Sequence, residues 1–172
     1  GGQGGGGSDA PESSWATHGR ILARLAHAGA RHALSVHRPV RTSEEAAEVR
    51  GAELSSGAKA MLLKDDKRGF VLVVLSASER LDYKLLRKSV GKKLRMATEE
   101  EVLAVTGCLP GSVPPFGSAF EPAARTFVDR SLVRQGSSMN FNVALRTHSV
   151  NMDVADYLRI EEPELVDVVA RA

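Results

Sequence analysis

Apolar positions follow two rhythms along this chain. Over residues 14–28, Trp15, Ile21, Leu22, Leu25 and Ala28 recur at helical spacing, and Gly29 is a natural stop. Residues 34–37 form a short strand candidate that Pro39 ends. Thr42, with Glu45 three residues on, makes a capping box that opens a helix to about Arg50, ahead of Gly51. Residues 58–64 and 70–75 are strongly apolar runs on either side of Asp65-Asp66-Lys67-Arg68-Gly69, the pattern of a β-hairpin with a polar turn. Leu81, Leu85, Leu86 and Val90 share one face of a helix closed by Gly91. A short strand at 94–96 precedes a second capping box, Thr98 with Glu101, which opens a helix to about Val105. Residues 125–129, 140–145 and 148–152 read as strands, and 154–158 as a short helix. The strand runs after residue 58 come in hairpins, which favours an α+β or mixed-sheet domain over a doubly wound parallel sheet.

One segment fits neither rhythm. Leu109-Pro110-Gly111-Ser112-Val113-Pro114-Pro115-Phe116-Gly117 holds too much proline and glycine for a helix or a central strand. Val113 and Phe116 give it apolar anchors that a solvated spacer has no use for, so it reads as a stiff, shaped loop. Gly111 and Gly117 could offer backbone N–H groups to a ligand, and Pro114 and Pro115 limit the entropy lost on ordering. The competing reading is a proline-stiffened turn between elements.

Composition narrows the classes. The length, 172 residues, suits one domain, and 42% apolar content can fill its core with mostly aliphatic side chains. The glycine-rich start, residues 1–12, reads as a flexible linker or an expression remnant ahead of a domain at 13–172. A single cysteine, Cys108, excludes an intrachain disulfide and fits a reducing compartment, so a cytoplasmic location is expected. No apolar run reaches membrane-spanning length, and the first residues lack the regions of a signal peptide. Five histidines form no HExxH pattern, and no metal or cofactor is expected. Cys108 has no activating base nearby in sequence and reads as a buried thiol.

Two further features carry possible chemistry. Lys59 heads the first apolar run, with Met61 and Leu63 on its face of the strand. It is either a solvated strand-end lysine or a cation for a phosphate or carbonyl oxygen. Lys84, Arg87, Lys88, Lys92, Lys93 and Arg95 form a basic cluster that no acidic residue interrupts. It is either a solvated helix face or a contact for a nucleic-acid backbone.

Taken together, these pieces resemble the YbaK/prolyl-tRNA-synthetase-associated family of aminoacyl-tRNA deacylases. The matching order is His37-Arg38-Pro39-Val40-Arg41-Thr42-Ser43-Glu44-Glu45-Ala46, then Gly57-Ala58-Lys59-Ala60-Met61-Leu62-Leu63, then residues 110–117. The resemblance spans residues 15–158 and implies a single α+β domain with a mixed, largely antiparallel sheet surrounded by helices. It implies that Lys59 is essential, contacting the terminal adenosine's phosphate or the substrate backbone. Gly111 to Pro115 would position the aminoacyl group and the attacking water, with Ser112, Val113, Pro114, Phe116, Gly117, Thr42, Asp129 and Asn142 as further substrate-side positions. It also implies neither metal nor covalent nucleophile, with a tRNA hydroxyl assisting. Relatives carry a histidine-proline pair late in the chain. Here Asn140-Phe141-Asn142-Val143 lacks it, which bears on substrate choice.

The leading expectation is therefore proofreading of mischarged tRNA, with alanine on the proline tRNA as substrate. The expected partners are tRNA and a prolyl-tRNA synthetase or multi-synthetase complex. The rivals are a non-catalytic tRNA-binding or assembly domain, and an enzyme on another small activated ester with no nucleic-acid partner.

Overall fold

The computed structural model describes residues 10–67, 69–90 and 93–170. The glycine-rich segment over residues 1–9, Gly91 and Lys92 lie outside the described residues. The chain opens with α1 (Glu12–His27), β1 (His32–Val36) and α2 (Ser43–Arg50). The hairpin β2 (Ala58–Asp65) and β3 (Phe70–Ser76) follows, then α3 (Tyr83–Val90), β4 (Leu94–Met96) and α4 (Glu99–Thr106). Both capping boxes form: the Thr42 and Thr98 hydroxyls accept from the Glu45 and Glu101 N–H groups, each at 3.1 Å, and both carboxylates reach back to the cap. Gly51 and Gly107 end α2 and α4 in the left-handed conformation.

After the proline-glycine loop come β5 (Arg125–Asp129), α5 (Arg130–Arg134), β6 (Ser138–Asn142), β7 (His148–Asp153), α6 (Val154–Glu161) and β8 (Glu164–Val166). The α+β expectation holds, but the strands divide between two sheets. One is five-stranded, in the order β4-β2-β3-β5-β8. Its β2 pairs are antiparallel, and β5 runs parallel to both β3 and β8. The other, β1-β7-β6, is antiparallel throughout. A single parallel bridge, Gly57 to Asn140, ties the sheets together where β2 begins.

Two core clusters lie on the two faces of the larger sheet. Leu62, Leu72 and Val74 pack with Ile21, Phe116 and Phe141 in the first. Leu63, Val71, Val73 and Leu75 pack with Leu86 and Phe127 in the second. The alternation expected along β2 is visible here: Ala58, Ala60 and Leu62 turn to the first cluster, Met61 and Leu63 to the second.

Three local features differ from expectation. The strand read at 140–145 stops at Asn142, because the Asn142 amide donates to the Leu145 carbonyl (3.1 Å) and Ala144 takes φ 72°. Helix α5 and strand β8 carry little periodic signal of their own. Both are organised by Asp129, whose carboxylate accepts from the Ser131 N–H (2.8 Å) and the Val168 N–H (2.7 Å).

Trp15, His18 and His148 pack edge-to-face against one another, with ring centroids 5.2–5.6 Å apart. Burial, and then the neighbouring His18 and His37, hold the His148 imidazole below its ordinary pKa. The unfolded chain therefore takes up this proton first as pH falls. Stability should be full above the unfolded value of about 6.5, decline as pH drops through it, and level off below the folded value. Melting temperatures at pH 7.5 and 5.5 should show a larger acid loss in the wild type than in His148→Gln.

Candidate active site

A cavity of about 580 Å³ opens beside β2, between α2, the proline-glycine loop and the end of β6. Its position follows from the pairing of β2. Strand β3 covers β2 from Ala58 to Lys64, whereas β4 covers only Leu63 to Asp65. The Leu62 carbonyl accepts from the Ala97 N–H (3.0 Å) on the β4 side. By the two-residue period, the N–H and C=O of Ala60 point the same way, past the end of β4 and into the cavity that Ala60 lines. Lys59 stands exposed at the head of this strand, its ammonium making no hydrogen bond or ion pair to a described residue.

The proline-glycine loop forms the opposite wall, and four contacts hold it. Arg146 donates from Nε (3.0 Å) and Nη2 (2.6 Å) to the Pro110 carbonyl. Gly111 has φ 86°, and a Cβ there would sit 2.7 Å from the Arg41 carbonyl oxygen. The Tyr157 hydroxyl donates to the Pro115 carbonyl (2.5 Å), and complete burial keeps that phenol protonated. The Phe116 ring is fully buried, edge-to-face with Phe141 and Tyr157 at 5.6 and 5.1 Å. The prolines carry no N–H, and the Ser112 N–H is used within the turn, on the Leu109 carbonyl. The Gly111 and Val113 N–H groups donate to no described residue, and both residues line the cavity.

The structure thus brings Lys59, Thr42, Gly111, Val113 and Asn142 to one cavity. Thr42 is occupied by its capping box, and the Asn142 Oδ1 accepts from Arg50 (2.7 Å). Ser112 lines a second cavity, of about 240 Å³. Pro114, Pro115, Phe116 and Gly117 are buried and line neither cavity. Gly117 packs so tightly that a Cβ would fall 2.3 Å from the Ala124 carbonyl oxygen. Asp129 lines neither cavity and instead organises α5 and the segment after β8.

Helix α3 presents Lys84, Arg87 and Lys88 to solvent, and Lys93 lies exposed before β4. None of the four pairs with a described acid, whereas Arg95 is bound to Glu101 at 2.8 Å and holds that carboxyl well below the ordinary carboxylate range. These side chains line neither cavity. Cys108 is buried, its thiol pushed up to about 12 chiefly by that burial, so it supplies no thiolate at neutral pH. Among the described residues, no three His, Cys, Asp or Glu side chains come together as a metal site.

Sequence reasoning did not single out Arg50 or Arg146. Each owes its place to partners about 99 and 36 positions away, and no local pattern marks either.

The cavity thus sets the lysine that heads β2 and the Ala60 edge beside a braced loop whose Gly111 and Val113 N–H groups donate to no described residue, an arrangement with the chemistry to bind a carbonyl oxygen. The profile of the family described as "Aminoacyl-tRNA editing domain" matches residues 37–160. The multifunctional Ser/Thr-tRNA deacylase ProXp-y of Escherichia coli (strain K12) is 36% identical over 155 residues, covering 88% of this chain and 92% of that protein. The proline–tRNA ligase of Shouchella clausii (strain KSM-K16) is 33% identical over 100 residues, 58% of this chain but 18% of that enzyme. A solved structure described as a candidate trans-editing enzyme for prolyl tRNA synthetase has the same fold, with TM-score 0.80 at 24% identity over 90% of this chain and 98% of that one. The chain belongs to the aminoacyl-tRNA editing domain family, and its class of activity is aminoacyl-tRNA deacylation.

Gly111→Ala should lower stability by about 1–3 kcal/mol and loosen the loop, because positive φ and the Arg41 carbonyl both oppose a methyl group. Gly51→Ala is the control: φ is also positive there, but no atom lies within 4 Å, so only the backbone cost remains. Urea denaturation of both variants measures the difference.

Proposed function

We propose that this domain hydrolyses the ester joining serine or threonine to a mischarged tRNA. The cavity between Lys59 and the braced loop carries the reading. In it, the Gly111 and Val113 N–H groups bind the ester carbonyl and stabilise the oxyanion formed as water attacks. The Lys59 ammonium, which pairs with no described carboxylate, adds positive charge for that oxyanion or for the terminal adenosine's phosphate. An aminoacyl ester is already activated, so positioning and electrostatics supply what the reaction needs.

Alanine on the proline tRNA has less support than expected from the sequence. The relative matched along nearly its whole length is named for Ser/Thr-tRNA, and the cavity wall carries the polar groups of Arg50 and Asn142 beside Val113 and Phe141. The exposed, unpaired cations of α3, with Lys93, supply contacts to the tRNA backbone, and Lys92 continues that run in the sequence. Family domains within proline–tRNA ligases point to a synthetase as a further partner.

Deacylation of seryl-, threonyl- and alanyl-tRNA should be fastest for the hydroxylated amino acids. Lys59→Ala should lower kcat/KM by roughly 10²–10³-fold with an unchanged melting temperature, since the side chain is exposed. Equal rates in both proteins would remove Lys59 from the mechanism, and tRNA binding without hydrolysis would make the chain a binding domain. Replacing Lys84, Arg87 and Lys88 together by Gln should reduce the slope of log affinity against log salt by about 2–3, at little cost to the rate on a short aminoacylated substrate.

A further inference from the structure

The cavity contains one charged group that neither the loop nor Lys59 explains. Of its charged lining residues, Arg41, Glu44, Glu53, Lys59 and Glu99 are exposed, and Arg50 alone is half-buried. Arg50 ends α2, and its Nε donates to the Ser149 Oγ (2.9 Å) while Nη2 donates to the Asn142 Oδ1 (2.7 Å). His37 Nε2 fixes the same Ser149 hydroxyl from the other side, at 2.7 Å. Arg50 forms no ion pair with a described residue, and burial pulls its pKa down to about 10. A guanidinium has five N–H donors in a rigid fork. Here Nη1 donates to no described residue, and it lies 4.0 Å from the position a Cβ on Gly57 would take. Two residues further on is Lys59.

We infer that the Arg50 Nη1 donates a hydrogen bond to the side-chain hydroxyl of the amino acid being removed, so that Arg50 selects seryl and threonyl esters over alanyl esters. The inference rests on the deacylase reading and names the side-chain class that the site accepts. A half-desolvated donor is stabilised only when the ligand brings an acceptor. The hydroxyl oxygen of serine or threonine is one. The methyl group of alanine leaves the donor stranded, and sites built to bond a hydroxyl reject the analogue lacking it far more strongly than apolar pockets reject a missing methyl. Like charge keeps the substrate's α-ammonium from Arg50, while Glu44, Glu53 and Glu99 on the same cavity wall can accept it. The terminal phosphate continues into the tRNA chain and so belongs at the mouth, with the exposed Arg41 and Lys59.

The experiment measures kcat/KM of the wild type, Arg50→Gln and Arg50→Lys on seryl and alanyl esters of the same tRNA, with melting temperatures alongside. The wild type should prefer serine. Arg50→Gln should lose roughly 100-fold on the seryl ester and little on the alanyl ester, collapsing the preference. Arg50→Lys, which keeps the charge but not the fork, should fall between. Should Arg50→Gln fail to fold, the serine-to-alanine ratio of Arg50→Lys decides. Equal losses on both esters would overturn the inference by placing Arg50 on the shared ester carbonyl, and an unchanged ratio at full rate would overturn it outright. Both results leave the deacylase reading standing. A wild type inactive on every aminoacyl-tRNA would instead remove that reading, and the inference with it.

Discussion

The site depends on a shortfall in strand pairing. Strand β4 covers only three residues of β2, and the Gly57–Asn140 bridge lies at the other end of β2, so the edge between them is left open at Ala60 beside β3's continuous pairing. A full-length neighbour would fill the space where the cavity now lies and would consume the backbone groups of Ala60. The second sheet joins the backbone pairing of the first only at the Gly57–Asn140 bridge, and otherwise packs on it through side chains of the first core cluster. Lys59 and Arg50 stand near that bridge.

The facing wall solves a different problem. A loop with two adjacent prolines has few N–H groups with which to build its own hydrogen bonds, so the surrounding structure must fix it from outside. Tyr157 and Arg146 hold its two ends through carbonyl oxygens, and Phe116 enters the core between Phe141 and Tyr157. Glu161 extends the brace: its buried carboxylate accepts from Thr126 and from the Ser118 N–H just past the loop, beside Arg24 of α1 at 3.6 Å. The Gly111 and Val113 N–H groups, on two residues that line the cavity, are left without a partner among the described residues.

Much of this was legible in the sequence, and the boundary has a physical basis. The caps at Thr42 and Thr98, the β2–β3 hairpin and the α3 stripe are made by residues a few positions apart, so pattern alone reveals them. The loop stood out because its composition fits no repeating element. Its division of labour did not stand out: the glycine end faces the cavity, while the second proline, Phe116 and Gly117 form the wall behind it. Arg50 was hidden at the end of an ordinary amphipathic helix, because its partners Ser149 and Asn142 lie about a hundred positions along the chain. Strand β8 was equally hidden, since a short edge strand with two exposed residues has no alternation to read.

The larger sheet also acts as a partition. Loop, cavity and Arg50's partners on β6 and β7 adjoin the first core cluster, whereas α3 and the segment after β8 rest on the second. The strands of the sheet contribute to both, and Met61, which packs on the second, also lines the cavity. Side chains on the α3 side can therefore change in size and shape without moving the proline-glycine loop, provided the strands keep their register. The proposed tRNA-facing surface and the proposed aminoacyl chamber would thereby be free to change at separate rates.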